Sequence, residues 1–195
     1  MKRTSKFNPG KSTYGSDNEE SRLRLRELML FVADRCQGDP NFGVTKLNKI
    51  LFYCGDFFAF ARLGKPITGI PYNKLTYGPV PTGAENARRK MEQDGDVFMS
   101  PQGYGPFRPK RMIPRRDADL TLFSGPEVAL VDGIIEALSG ATGSQLRDMS
   151  HGKAWQAVGM HQVIPYEAVF LSDEPYKEED IAGVHELVVS GEIED

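Results

Sequence analysis

Two cysteines, three histidines and one tryptophan occur among 195 residues, and each scarcity removes a class of protein. Cys36 and Cys54 are 18 positions apart, which is neither a disulfide framework nor a zinc spacing, so both read as small buried hydrophobes. His151, His161 and His185 lie too far apart for a helical i,i+4 pair, and no Cys-x-x-Cys or His-Glu-x-x-His accompanies them; no metal or cofactor is expected. Long apolar runs are also missing. "ILFYC" and "FFAFA" are broken by Gly55 and Asp56 and fall short of the roughly 18 residues a membrane span requires. The N-terminal "MKRTSKFNPGKSTYGSDNEE" has bases but no apolar stretch behind them, so it is not a secretory signal, and the expected location is the cytoplasm.

What remains is an ordinary core. Hydrophobic residues make up 39% and charged residues 26% of the chain, which suits a single domain of modest size. The net charge of −3 is unevenly spread: Asp173 to Asp195 holds nine acids against Lys177 alone, −8, leaving +5 for the other 172 residues. Three parts follow. Residues 1–20, without apolar period, are expected to be disordered; 21–172 form the domain; 173–195 form an acidic tail with an amphipathic helical pattern over Glu178 to Val189.

Within the domain, Leu25, Leu28, Met29, Val32 and Cys36 recur at helical spacing and stop at Gly38-Asp-Pro40. Thr45 is the expected N-cap of a second helix, Lys46 to Leu63, closed by Gly64. One face carries Leu47, Ile50, Leu51, Cys54, Phe58 and Ala61, and Phe52, Tyr53, Phe57 and Phe60 fill the other sides. A helix apolar all round belongs at the centre of a fold. The next stretch, "GKPITGIPYNKLTYGPVP" (64–81), holds four prolines and three glycines around a strand at Ile70 to Tyr77, which Pro71 confines to a sheet edge or a strand start. Thr82 with Glu85, and Ser124 with Glu127, form capping boxes for helices reaching Met91 and Leu138. Val97 to Met99 and Asp119 to Phe123 read as strands, and Ser144 to Met149 as a short helix. The fold class is thus α+β, mostly helical, with a central apolar helix and a small antiparallel sheet.

Three constellations bear on function. Arg108, Lys110, Arg111, Arg115 and Arg116 place five bases in nine residues; they would suit phosphate contacts, although no recognition-helix module accompanies them. Asp148, Ser150 and His151 contain the residue types of a hydrolase, yet residues so close in sequence do not reach triad geometry unaided. "Gly103-Tyr-Gly" lacks the third glycine of a phosphate-binding loop. Amphipathic Tyr72, Tyr77 and Tyr104 beside a strand edge suit protein recognition, by added main-chain hydrogen bonds or by aromatic anchors; Trp155 reads as the anchor of a core edge.

"TKLNKILFYCGDFFAFARLGKPITG" (45–69), "YNKLTYGPVP" (72–81) and "LRDMSHGKAW" (146–155), in this order, resemble the Panacea domain, the family of SocA-like antitoxins that also includes phage-associated GepA-like proteins. The resemblance implies an antitoxin that neutralises a cognate protein toxin by direct binding, with delivery to an ATP-dependent protease in the SocA-like case. It implies no catalytic residue or cofactor; the negative overall charge argues against nucleic acid as a partner, and the short apolar runs argue against a membrane. The residues expected to meet the partner are Tyr72, Lys74, Tyr77, Gly78, Pro79, Val80 and Trp155. A regulatory nucleic-acid binder using the basic cluster and a small hydrolase at Asp148, Ser150 and His151 stand as alternatives.

Overall fold

Asn18 opens the first helix by accepting the Ser21 N–H at 2.8 Å, giving a first-turn amide the partner it lacks within the helix. Glu19 and Glu20 occupy the same positive first turn. This helix, α1 (Glu19–Arg35), buries Leu25, Leu28, Met29 and Val32. The computed structural model describes residues 16–101 and 110–171. After α1 come α2 (Val44–Ile50), a π-helical segment (Leu51–Phe57), α3 (Phe58–Leu63), β1 (Tyr72–Leu75), β2 (Gly78–Pro81), α4 (Ala84–Gln93), β3 (Val97–Pro101) and β4 (Lys110–Pro114). Then follow α5 (Gly125–Ala137), α6 (Gly143–Ser150), α7 (Lys153–Gln156) and β5 (Val163–Ile164), with 3-10 turns at Leu120–Leu122 and Tyr166–Phe170. The architecture is α+β and mostly helical, with antiparallel sheets ordered β2-β1-β5 and β3-β4. No helix among the described residues is long and apolar enough to cross a membrane. Residues 1–15, Tyr104, Arg108 and the pattern at 178–189 lie outside the described residues.

The central helix is where sequence and structure differ most. It starts at Val44, with Gly43 rather than Thr45 at the cap position; buried Phe42 anchors the entry, and the Leu47 N–H reaches Gly43 O at 2.8 Å. At Leu51 the pitch changes from α to π. A π-turn uses more residues per turn, so positions beyond it leave the phase of the Leu47, Ile50, Leu51 face. Phe57 and Phe60 are buried, whereas Phe58 and Ala61, expected on the buried stripe, face solvent. Gly64 ends α3 in the left-handed region, at φ 73°.

Three other elements depart from expectation. β1 is the central strand of its sheet, because Gly78–Pro81 pairs along one side and Val163–Ile164 along the other; Pro71 stands just before the strand begins. Thr82 does not cap α4. Its hydroxyl receives the Asn73 side chain at 2.8 Å and its N–H bonds Pro71 O, so Gly83, at φ 72°, takes the cap position. Asp119 to Phe123 is a 3-10 turn, because the Asp119 carboxylate accepts the N–H and hydroxyl of Thr121 at 3.0 and 2.6 Å. The box at Ser124 is present: Glu127 accepts its N–H at 2.7 Å and its hydroxyl at 2.9 Å. Thr142 and Gln145 form another for α6.

The π-segment also places Asp56, fully buried, against the following turn. One carboxyl oxygen accepts Thr68 N–H at 2.8 Å and Gly69 N–H at 3.1 Å; the other accepts the Thr68 hydroxyl at 2.6 Å. Burial pushes this carboxyl up to about 6, against the pull of the Thr68, Tyr72 and Gly69 hydrogen bonds. Removing the side chain strands buried donors, so Asp56→Ala should lose roughly 2–4 kcal/mol in urea unfolding. Because the folded state holds the proton more tightly than the unfolded chain, the stability from this group is complete below the ordinary value of 3.8 and is lost as pH rises through about 6. Relative to Asp56→Asn, wild type should therefore lose ground between about pH 4 and 6.5 in paired melts.

Candidate functional site

Gly78 closes the turn between β1 and β2, where Leu75 pairs with Gly78 and leaves only Thr76 and Tyr77 at the tip. Its φ of 105° favours glycine, and a Cβ there would stand 1.6 Å from Lys49 Nζ and 2.7 Å from Ser150 Oγ. Lys49, buried on α2, donates through Nζ to the Tyr77 carbonyl. Burial, and secondarily the Arg147 charge, lower its amine to about 7. The hairpin tip is thus held from below by a lysine with no acid in hydrogen-bonding reach among the described residues.

Lys74, on β1, also points inward. Its Nζ donates to Val158 O at 2.8 Å and lies 3.8 Å from the centre of the Trp155 ring. His151 stacks on Trp155, with centroids 4.0 Å apart and planes at 10°, and the Trp155 indole donates to Leu75 O at 3.3 Å. Burial, then the Lys49 and Arg147 charges, hold His151 below its ordinary value, and its Nε2 is buried without a hydrogen-bond partner among the described residues. The blocks 45–69, 72–81 and 146–155, scattered in sequence, therefore converge on one spot.

The seven residues expected to meet a partner divide. Tyr72 is a core residue whose hydroxyl donates to Leu51 O at 2.8 Å; Lys74, Gly78 and Pro79 are buried, and Val80 and Trp155 half-buried. Tyr77, 70% exposed at the tip, is the one that stands in solvent. Beyond the hairpin, an apolar groove of about 160 Å³ lies between the π-segment, α6, α7 and the last 3-10 turn, lined by Tyr53, Phe58, Met149, Lys153, Val169 and Leu171. Ser150 also lines it, so one residue touches both the groove and the hairpin turn. Periodicity missed this groove because it assigned Phe58 to the core. Lys46 and Lys49 were legible as lysines on an apolar helix, which is the signal that could have found the buried pair.

Asp148, Ser150 and His151 do not assemble. Ser150 Oγ donates to Arg147 O at 2.8 Å, and Asp148 pairs with Arg147 at 2.8 Å. The basic cluster is largely engaged within the fold. Arg111 donates to the carbonyls of Cys36 and Asp39 at 3.0 Å, and also to that of Gln37, covering the free end of α1. Arg116 bonds Glu27 at 2.6 and 2.9 Å and Asp96 at 2.7 Å; Arg115 lies 5.5 Å from the Phe98 ring centre. Among the described residues no group of three or more His, Cys, Asp or Glu is placed to hold a metal ion.

The site is therefore a hairpin whose tip is held by the buried Lys49, with an apolar groove beside it. The sequence model of the family described as antitoxin SocA-like, Panacea domain, matches residues 47–156, and the chain belongs to this family. The matched span contains Lys49, the whole hairpin, His151 and Trp155. No curated protein and no solved structure matches the chain.

Two substitutions test the support of the tip. Gly78→Ala should destabilise by roughly 2–4 kcal/mol in urea titration, since it combines a left-handed φ with displacement of Lys49. Lys49 has a folded value below its unfolded value of 10.5, so the unfolded chain binds the extra proton and stability should rise from about pH 7 towards 9.5. In Lys49→Met that rise should vanish from melts recorded across the same range.

Proposed function

We propose that this chain is an antitoxin that neutralises a cognate protein toxin by direct binding through the 64–81 hairpin, with Tyr77 as the exposed aromatic anchor. The observation that carries the reading is the tip itself: Tyr77 is 70% exposed on a two-residue turn fixed from below by Lys49 and Gly78. A contact already rigid before binding loses little conformational entropy on association, and tyrosine supplies a large amphipathic surface with few rotatable bonds. Membership of an antitoxin family supports the general role. Action in the cytoplasm and hand-over of the bound toxin to an ATP-dependent protease complete the proposal, by likeness to the SocA-like case. Engagement of Arg111 and Arg116 within the fold, and the separation of Ser150 from His151 in hydrogen bonding, favour this reading over a nucleic-acid binder or a hydrolase.

The test is a growth assay in which each gene flanking this one is induced alone and with it, followed by co-purification of any rescued pair. Rescue with a stable complex is expected; toxicity from neither neighbour would remove the proposal. In the complex, Tyr77→Ala should weaken toxin binding by about tenfold or more while leaving the melting temperature unchanged. Binding at wild-type affinity would shift recognition away from the tip.

A further inference from the structure

The groove is an unusual surface for a chain with so regular a core. Phe58 is 41%, Met149 56% and Leu171 42% exposed, and all three line the same depression. Phe170, next to Leu171, is exposed as well and touches Phe60, with ring centroids 5.8 Å apart. Contiguous exposed apolar side chains of this size mark a surface that binds something. Phe58 is there because the π-segment turns it out of the core, so the groove is a product of the backbone and not of a loose side chain. The hydroxyl of Tyr53, which lines it, is buried without a hydrogen-bond partner among the described residues.

The charge beside the groove is positive on balance. Among the described residues Lys153 is the only charged side chain lining it, and the neighbouring His151 feels Lys49, Arg147 and Lys74 against Asp148. An occupant that fits brings apolar side chains together with carboxylates. The chain carries such a segment, and it starts two residues after Leu171 in the sequence. Leu171 lines the depression, and from Asp173 the sequence holds nine acids against Lys177, with Ile181, Val184, Leu187 and Val188 at helical spacing behind Glu178, Glu179 and Asp180. Ten residues separate Leu171 from Ile181, a reach of up to about 35 Å, and so short a tether gives an effective concentration on the order of millimolar.

We propose that the groove formed by Phe58, Met149, Lys153 and Leu171 is the docking site of the chain's own acidic segment, 173–195. Apolar side chains of the segment enter the depression, and its carboxylates meet Lys153 and the positive face beside it. This inference does not depend on the antitoxin reading.

The test uses the full-length chain and two readouts. The first is the apolar, anionic dye 1-anilinonaphthalene-8-sulfonate, titrated into wild type and into a variant carrying Glu178→Lys, Glu179→Lys and Asp180→Lys. Reversing the charges should strengthen dye binding at least tenfold at one dye per chain. Adding Met149→Glu, which alters only an exposed side chain, should abolish that gain, whereas Leu120→Glu, on an exposed position outside the groove lining, should not. The second readout is zero-length carbodiimide coupling, mapped by mass spectrometry. Lys153 should couple to carboxylates of 173–195 in a yield independent of protein concentration and reduced severalfold by 0.5 M salt. Coupling that grows with concentration would place a second copy in the groove and overturn the proposal. Equal dye affinity in wild type and the charge-reversed variant, with no coupling at Lys153, would leave the groove open to an external partner and overturn it equally.

Discussion

The ammonium groups of Lys46, Lys49 and Lys74 lie inside the protein, and each donates to a main-chain carbonyl remote in sequence: Ala141, Tyr77 and Val158 respectively. Burying a lysine costs several kcal/mol unless its donors are met, so the loops that carry those carbonyls are held where the lysines need them. Lys46 ties the approach to α6 onto α2 and has Asp39 as counter-ion at 2.5 Å. Lys49 fixes the hairpin tip. Lys74 joins β1 to the strap that follows α7. Hairpin, groove wall and central helix are thereby one rigid unit.

Asp56 does for the π-segment what the lysines do for the loops. Its carboxyl gathers Thr68 and Gly69, Thr68 Oγ1 in turn accepts the Ile70 N–H at 3.1 Å, and Tyr166 donates to Ile70 O. The turn entering β1 is therefore built around one buried acid. The change of pitch that aims Asp56 inward also turns Phe58 outward. A single backbone irregularity thus sets both the core's polar centre and the apolar surface beside the hairpin.

Much of this was legible from spacing alone. α1, the glycine that ends α3, β3, the box at Ser124 and the short helix α6 each depend on residues within a few positions of one another, and local rules describe them. The three blocks 45–69, 72–81 and 146–155 also pointed to the family the chain belongs to. The failures share a cause. Thr82 is a good cap in isolation, but Asn73 and Pro71 claim its side chain and its amide. Tyr72 has the composition of a recognition residue, yet its hydroxyl meets Leu51 O in the core. Arg111 and Arg116 resemble a free basic patch until α1 and Asp96 are brought beside them.

By itself, then, the sequence determined the helical periods, the stops, the mostly helical α+β class and the family, because these follow from the chemistry of near neighbours. Tertiary structure alone decided which polar groups are spent inside the fold and which remain for a partner. Whether a lysine, arginine or tyrosine is available depends on carbonyls and carboxylates tens of residues away, and the long-range packing that brings them together leaves no mark in local spacing.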